Sequence, residues 1–524
     1  MAVRYVLAAL AGALYFLGFA GFDLWPLAFI ALVPMLWALD PREELPYRHL
    51  VGLGLCFGFV TNVGGYYWIV NTLEDFSGFP FAVCVLFAAI VWLYQSSALL
   101  CFSLLYRRSR HAGFGALSSA VASMVFAEWA IPLLFEHYFG ASLHNLPVAI
   151  QVADLGGPLL VSALLTLANA GIYAFVRSWV ESRREPGKHH LALREPAIAG
   201  GLWALTLAYG AYRIHEVDAR AASAPKITVG LVQTNMGFFE KREDPEEGWR
   251  RHLEQSKQLQ REVNLDLLVW PESAFNWYIP EDMLNVRREV LGNVVRVPTL
   301  FGGLTRREFK GKKRPFNTAF LADAQGNLVG SYDKIFLLAF GEYLPFGETF
   351  PVLYEWSPNS GNFAQGQHKH PLLLDGHRIS ALICYEDILP NFVRGVVAEA
   401  NPQLFVNMSN DAWFGDTHEP WEHLALAKFR SVEHHRAMVR STNSGVSAMI
   451  DPMGRVVGVT GVYERGNLSA TLPLLEQNYP YQVLGDFPAF LAVPFLGVAL
   501  WRSRARNKRA SKRADPPASN TQSA

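Results

Sequence analysis

The first 215 residues carry their apolar positions in long blocks, whereas from Ile227 to about residue 480 they fall in short bursts. A hydrocarbon core of roughly 30 Å takes about 20 helical residues to cross. The early blocks predict seven membrane helices, at 5–21, 23–39, 49–71, 79–105, 113–135, 157–179 and 196–214, and an eighth follows at 482–501. Arg4 ahead of an apolar run also fits a secretory signal peptide, but no convincing cleavage site precedes the next block.

The bursts in the later region are ITVGLVQTN (227–235), LDLLVWPES (265–273), TLFGGL (299–304), NTAFLAD (317–323), ISALICYED (379–387) and LFVNMSND (404–411). Each is short, apolar and bounded by polar or glycine residues, which predicts buried strands. Amphipathic stretches at 246–264, 283–296, 390–400 and 418–439 predict helices between them. Strand and helix in alternation over about 260 residues argue for an α/β domain with helices covering sheets. The organisation expected is a membrane part over 1–214, an α/β domain over 215–480, a closing helix over 481–501 and a basic, disordered tail over 502–524.

Composition supports the membrane reading. Hydrophobic residues make up 51% of the 524 positions and charged ones only 18%, against about 25% charged in ordinary soluble chains. The 46 basic and 46 acidic residues cancel, which argues against a nucleic-acid binder. Their placement says more than their sum. Arg42 and Arg48, then Arg107, Arg108 and Arg110, then Arg183, Arg184, Lys188 and Arg194, and the tail from Arg502 to Arg513 occupy alternate connections, while 72–78 and 136–156 hold no Lys or Arg. The positive-inside rule then puts both termini in the cytoplasm and residues 215–480 on the opposite side. Glu128 in the fifth block is an intramembrane carboxylate. Such a group is a functional candidate, although near a helix end it more simply pairs with a neighbour.

Four cysteines exclude a disulfide scaffold. Cys56, Cys84 and Cys101 lie in predicted membrane helices, which leaves Cys384 alone in the outward-facing domain. It ends the apolar run ISALIC, a place where a sheet can hold a nucleophile open to substrate. Glu272 in WPES and Lys334 in YDK stand in comparable places. His418 and His423 look like a zinc-protease pair but are five apart rather than four, and the reading calls for no metal and no cofactor. His434 and His435, with Arg430, Glu433 and Arg436, are assigned to a helix surface with salt links.

Glu272, Lys334 and Cys384, in that order and with those surroundings, resemble the Glu–Lys–Cys triad of the nitrilase (carbon–nitrogen hydrolase) superfamily. Together with the membrane frame, the chain resembles the bacterial apolipoprotein N-acyltransferases essentially from end to end. Supporting matches are FDLWPLAF (22–29), GYYWIVNTL (65–73), YDKIFLLAFGEYLPFGE (332–348), ICYED (383–387), NMSNDAWFGD (407–416) and RSTNSGVSAMIDPMGRV (440–456). The resemblance implies an α-β-β-α sandwich outside the inner membrane, facing the periplasm. It implies an acyl donor that is a phospholipid, typically phosphatidylethanolamine, and an acceptor that is the diacylglyceryl-cysteine of an apolipoprotein.

The same resemblance makes Glu342 a second glutamate that orients the triad and Glu386 a further functional carboxylate, and sets Trp413 and Phe414 at the lipid entrance. Ala339, where Pro is common, and the missing Trp after Lys241 depart from the family pattern. The chemistry of the residues agrees. Glu272 can take the thiol proton, Lys334 favours a thiolate and an oxyanion, and the N–H of Tyr385 can serve as a second donor. A membrane-tethered amidase would use the same acyl-enzyme. A transporter with an outer solute-binding domain is disfavoured by the lack of repeat symmetry and of paired charges inside the spans.

Overall fold

The computed structural model describes residues 1–42, 45–77, 79–185, 190–237, 240, 243–339, 341–344, 346–356 and 360–514. Lys188 of the predicted basic loops, and Lys241 with its missing Trp, lie outside the described residues.

The membrane part is helical, but its segments are less regular than the apolar blocks suggested. Phe81–His111 and Ala153–Arg184 are long and apolar enough to cross a bilayer, and Tyr47–Gly65 with Ile69–Asp75 forms a third such unit bent by 57°. Ala2–Phe16, Trp25–Ala38 and Ala116–Ala130 are apolar but shorter. The block expected as one helix over 23–39 is two short ones, Trp25–Ala28 and Val33–Ala38, each with proline in its first turn. That is where proline is tolerated, because the missing N–H would have no partner there. Arg194–Ser223 outruns its predicted end at 214, and the last helix, Phe487–Ala514, continues well past 501. The expected disorder over 502–514 is therefore corrected. Ala, Lys and Arg are strong helix formers, and no proline intervenes before Pro516. Residues 515–524 lie outside the described residues.

The basic loops converge on one end of the helices. Arg42 bonds Asp40 and Glu181, Arg107 donates to the Leu39 and Asp40 carbonyls, and Arg506 donates to the His111 carbonyl at 2.9 Å. The α/β region docks on the other end.

Strands in that region, among the described residues, are β1 (Lys226–Gln233), β2 (Leu267–Val269), β3 (Thr299–Phe309), β4 (Lys312–Ala322), β5 (Leu328–Asp333) and β6 (Leu372–Leu374). They continue with β7 (His377–Ile383), β8 (Leu404–Ser409), β9 (Ala437–Thr442), β10 (Ala448–Ile450), β11 (Val456–Val459) and β12 (Gly466–Pro473). Two six-stranded sheets result, ordered β12-β1-β2-β3-β4-β5 and β11-β10-β9-β8-β7-β6. The centre of each is parallel: β1 with β2 and β2 with β3 in one, β7 with β8 and β8 with β9 in the other.

Alternation along each strand builds the layers. Val229, Leu231, Leu267 and Val269 share one core with Ala381, Ile383, Leu404 and Val406 of the second sheet. The residues between them point outward. Val232, Leu268 and Trp270 pack with Leu259 of the helix Pro245–Glu262, and Leu382 and Phe405 pack with Val393, Val396 and Leu424 of the helices beyond the other sheet. Strands buried on both faces read as continuous apolar runs, which is why they stand out in the sequence. The order of layers is helix, sheet, sheet, helix.

One predicted helix fails and another ends early. Residues 283–296 are a series of turns, and the stretch 418–439 is helical over Glu419–His434 and then enters β9. His434 and His435 are not on a surface. Both are buried, as are Arg430, Glu433 and Arg436, and His435 leaves the helix at φ +46° to reach Asp154 of the membrane part at 3.1 Å. Asp154 is fully buried and also accepts from Arg213 at 2.7 Å and from the Tyr209 hydroxyl at 2.7 Å. Removing one partner of a buried charge pair typically costs about 3–5 kcal/mol. Asp154→Ala is expected to lower the thermal unfolding midpoint of the detergent-solubilised protein markedly; an unchanged midpoint would mean this contact does not hold the two parts together.

Candidate active site

Each of the three expected residues leaves the end of a strand toward the same point. After β2, Trp270 is buried outside the sheet with its indole N–H on Ser256 at 2.9 Å, and its backbone N–H bonds the Leu300 carbonyl. The chain then turns sharply, with Ser273 at φ +52° and the Phe275 N–H on the Gly302 carbonyl. Glu272 sits in that turn, pressed against β3. A Cβ at Gly302 would lie 2.7 Å from the Pro271 carbonyl oxygen and 2.8 Å from the Glu272 Cα. Glycine is what lets the two backbones approach.

Lys334 follows β5. Its N–H bonds the Asn317 carbonyl at 2.9 Å and its carbonyl accepts from Gly366 at 2.8 Å, so the backbone is fixed on both sides. The side chain is only 2% exposed. Its ammonium lies 2.8 Å from Glu342 Oε2 and 3.4 Å from Glu272 Oε1. Asn317 ties the two carboxylates together, donating from Nδ2 to Glu272 at 2.7 Å and to Glu342 at 2.9 Å. The Leu338 N–H adds a bond to Glu342. Burial works against the ammonium, yet Glu272 and then Glu342 hold it well above the usual lysine value.

Cys384 follows β7 directly, at φ +55°, a conformation strained for a residue with a Cβ. Its carbonyl accepts from Asn407 Nδ2 at 3.0 Å. Burial pushes its thiol well up, the Lys334 ammonium pulls it down, and Glu272, Glu342 and Asp411 push it up again. The resting thiol is therefore neutral, and a thiolate would form there only with a base to take its proton.

Glu386 has a different place from the one a reacting carboxylate would take. It is fully buried and accepts from the N–H groups of Ile383, Ile335 and Phe336 at 2.8, 2.7 and 3.0 Å and from the Tyr332 hydroxyl. Burial lifts its carboxyl to about 7, against the pull of those N–H groups. It clamps the segment after Lys334 to the turn of Cys384. Tyr385 turns its ring toward Phe135 of the membrane part, with its hydroxyl 3.5 Å from Glu419 Oε1. Phe414 is buried against Trp68 at 5.1 Å between ring centres, and Trp413 is half-buried.

The profile of the carbon-nitrogen hydrolase family matches residues 228–477, and that of the apolipoprotein N-acyltransferase N-terminal domain matches 11–171. The apolipoprotein N-acyltransferase of Azotobacter vinelandii is 33% identical over 528 residues, covering 95% of each chain. The chain belongs to the apolipoprotein N-acyltransferase family. The enzyme of that name from Geobacter metallireducens is 29% identical with 93% of each chain covered, and that from Pseudomonas putida is 30% identical with 95% and 97% covered. Among solved structures, a nitrilase-superfamily amidase of Nesterenkonia AN1 aligns with a TM-score of 0.35 at 20% identity, over 48% of this chain and 93% of that one.

Around the site of this acyltransferase-family member lies a buried polar network that the sequence reading missed. Arg440, in the middle of β9, donates to Asp387 at 2.9 Å, Asp411 at 2.8 Å and Asn407 at 2.8 Å. His423 bonds Asp387 at 2.8 Å. Burial and Arg440 oppose a charge on His423, but Asp387 and Asp411 hold it protonated, with its pKa up to about 9. The His423 that resembled a zinc ligand is thus taken up by an aspartate. The available signals were polar residues inside apolar runs: Asn317 at the start of NTAFLAD, Asn407 in LFVNMS and Arg440 in AMVRST.

Gly302→Ala is expected to displace Glu272 and cut acyltransferase activity by about 10²-fold, the scale on which a displacement of about 1 Å acts; full activity would show that the turn relaxes freely. Lys334→Met removes a neighbouring charge that favours the thiolate, so the thiol titrates higher still. Alkylation of Cys384 by iodoacetamide at pH 8 should slow at least tenfold, and faster alkylation would place the ammonium away from the sulfur.

Proposed function

We propose that this protein moves a fatty acyl chain from a membrane phospholipid to the α-amino group of the diacylglyceryl-cysteine that begins an apolipoprotein, through a thioester on Cys384. The observation that carries the reading is the Lys334 ammonium held between Glu272 and Glu342 beside Cys384, in a chain matched along nearly all its length by enzymes named for this activity.

In the first half-reaction Glu272 takes the Sγ proton and the sulfur attacks the ester carbonyl. The oxyanion is met by Lys334 and the Tyr385 N–H, and one such donor is commonly worth about 3 kcal/mol. Collapse expels the lysophospholipid oxygen, which receives the proton back from Glu272. In the second, the acceptor amine attacks the thioester, gives a proton to Glu272, and the sulfur leaves and is reprotonated. The thioester holds the acyl group while the first product departs, a ping-pong course. Glu342 and Asn317 orient Glu272 and Lys334, and Glu386 orients the turn of Cys384. Phosphatidylethanolamine is the donor we favour, and Trp413 and Phe414 border its entry.

We place residues 1–214 and 481–501 in the bacterial inner membrane with both termini cytoplasmic, and residues 215–480 in the periplasm. The gathering of the basic loops at the end away from the α/β domain supports this orientation.

Intact-mass spectrometry of the protein taken from membranes tests the reaction class. A fatty-acyl increment on the peptide containing Cys384 is expected, absent in Cys384→Ser and formed about 10²- to 10⁴-fold more slowly in Glu272→Gln. Acyl transfer that survives in Cys384→Ser would rule out the sulfur as nucleophile.

A further inference from the structure

Next to Cys384, on the side facing the membrane helices, stand two carboxylates that the acyl-transfer steps do not use. Glu419 and Glu422 open the helix Glu419–His434 and lie three residues apart, on one face. Glu419 is 3% exposed, and its Oε2 has no hydrogen bond. Its Oε1 is 3.5 Å from the Tyr385 hydroxyl and 4.0 Å from His423 Nδ1. Glu422 is half-buried, and its Oε1 also lacks a partner. The indole N–H of Trp68, 1% exposed, points at Glu422 and favours its charged form, against the larger effect of burial.

Four aromatic rings close a circuit at this place. Trp68 meets Phe135 at 4.9 Å, Phe135 meets Tyr385 at 6.3 Å, Tyr385 meets Phe414 at 6.5 Å, and Phe414 returns to Trp68 at 5.1 Å. Trp68 and Phe135 come from the membrane part, Tyr385 and Phe414 from the α/β domain.

His423 and Arg440 face Asp387 and Asp411, which match them one for one, so Glu419 and Glu422 would each need a further cation in order to ionise, and burial holds both carboxyls above their usual value. Buried polar groups left without partners are costly, and native proteins retain few of them without a reason. An aromatic box with carboxylates at its edge suits a cation that carries N–H donors, through ring faces and charge-assisted hydrogen bonds together.

We propose that Glu419, Glu422 and this four-ring box bind a primary ammonium group carried by a substrate. The inference rests on the acyl-transfer reading and adds a recognition site to it. Two substrates of that reaction bring such a group: an ethanolamine-headed phospholipid, and the acceptor with its α-ammonium. Burial, and then the charge of Asp411, lifts Glu419 to about 8, so it carries a proton at neutral pH while the site is empty. An incoming ammonium takes the place of that proton.

The test uses the full-length protein in detergent micelles, wild type beside Glu419→Gln and Glu422→Gln. Mass spectrometry follows acylation of Cys384 by phosphatidylethanolamine and by phosphatidylglycerol with the same chains. A second arm loads the acyl-enzyme first and follows a single turnover onto a synthetic diacylglyceryl-cysteinyl peptide. Recognition of the headgroup is expected to appear as a fall of at least tenfold in the ratio of phosphatidylethanolamine to phosphatidylglycerol rates. Recognition of the acceptor would leave that ratio alone and raise the half-saturating peptide concentration at least tenfold. Changes within twofold in both arms, or an equal loss with both lipids and the peptide, overturn the proposal. Should Glu419→Gln fail to fold, the half-exposed Glu422 carries the test. A wild type that never gains acyl mass on Cys384 refutes the acyl-transfer reading itself, separately from this one.

Discussion

An ammonium out of water between two carboxylates is the constraint around which the catalytic half of this molecule is arranged. Desolvating such ions costs several kcal/mol each, and their attraction offsets that only when geometry is good and the remaining donors and acceptors are satisfied. The structure meets both conditions. Lys334 reaches Glu342 and Glu272, Asn317 bonds both acids, and Leu338 supplies a further donor. Three strands must be in register for this: β4 for Asn317, β5 for Lys334 and β2 for Glu272, with Gly302 of β3 letting the last turn settle. The positive charge that results is what a buried sulfur needs if it is to become an anion at all.

The same economy of buried charge joins the two halves of the chain. Asp154 holds Arg213 and His435, Gln151 donates to the Met453 carbonyl at 3.0 Å, and Lys428 reaches Asn145 at 3.2 Å and His144 at 3.4 Å. Burial, the larger effect, brings Lys428 down to about 8 despite Asp23 and Asp451. Polar contacts without water are directional, so they fix orientation where an apolar seam would slide. Trp68 against Phe414 and Phe135 against Tyr385 extend the junction to the residue beside Cys384. The wall of the site on the membrane side is thus built by both parts, and neither would form it alone.

Much of this could be read from the chain before any coordinates. Glu272 and Cys384 each follow an apolar run, which doubly buried strands make conspicuous, and Lys334 leads into one at 335–340. What escaped was of three physical kinds. Residues 283–296 have helical periodicity, but their apolar members, Val286, Val290, Leu291 and Val295, fill the outer core from turns instead; burial overrode local propensity. His434 and His435 sit among charged residues and read as solvated, because nothing local reveals that a second domain covers them. Asn317, Asn407 and Arg440 are polar residues inside strands, and their partners lie tens of residues away. Apart from 283–296 and the ends of several helices, the departures concern partners distant in sequence.

The strained turn at Cys384 and the buried Glu386 explain one another. A non-glycine residue held at φ +55° costs on the order of 1–3 kcal/mol and persists only where its surroundings over-determine it. Glu386 provides that determination two residues on, by accepting from Ile383 just before the cysteine and from Ile335 and Phe336 just after the lysine. One carboxyl therefore ties the turn of Cys384 to the backbone after Lys334 from the outside, and leaves the inner face to Glu272 and Glu342. A carboxyl whose oxygens are already occupied by four donors cannot swing toward the sulfur. Glu386 is thus held to the backbone on one side, and Glu272 and Glu342 are left to face the ammonium on the other.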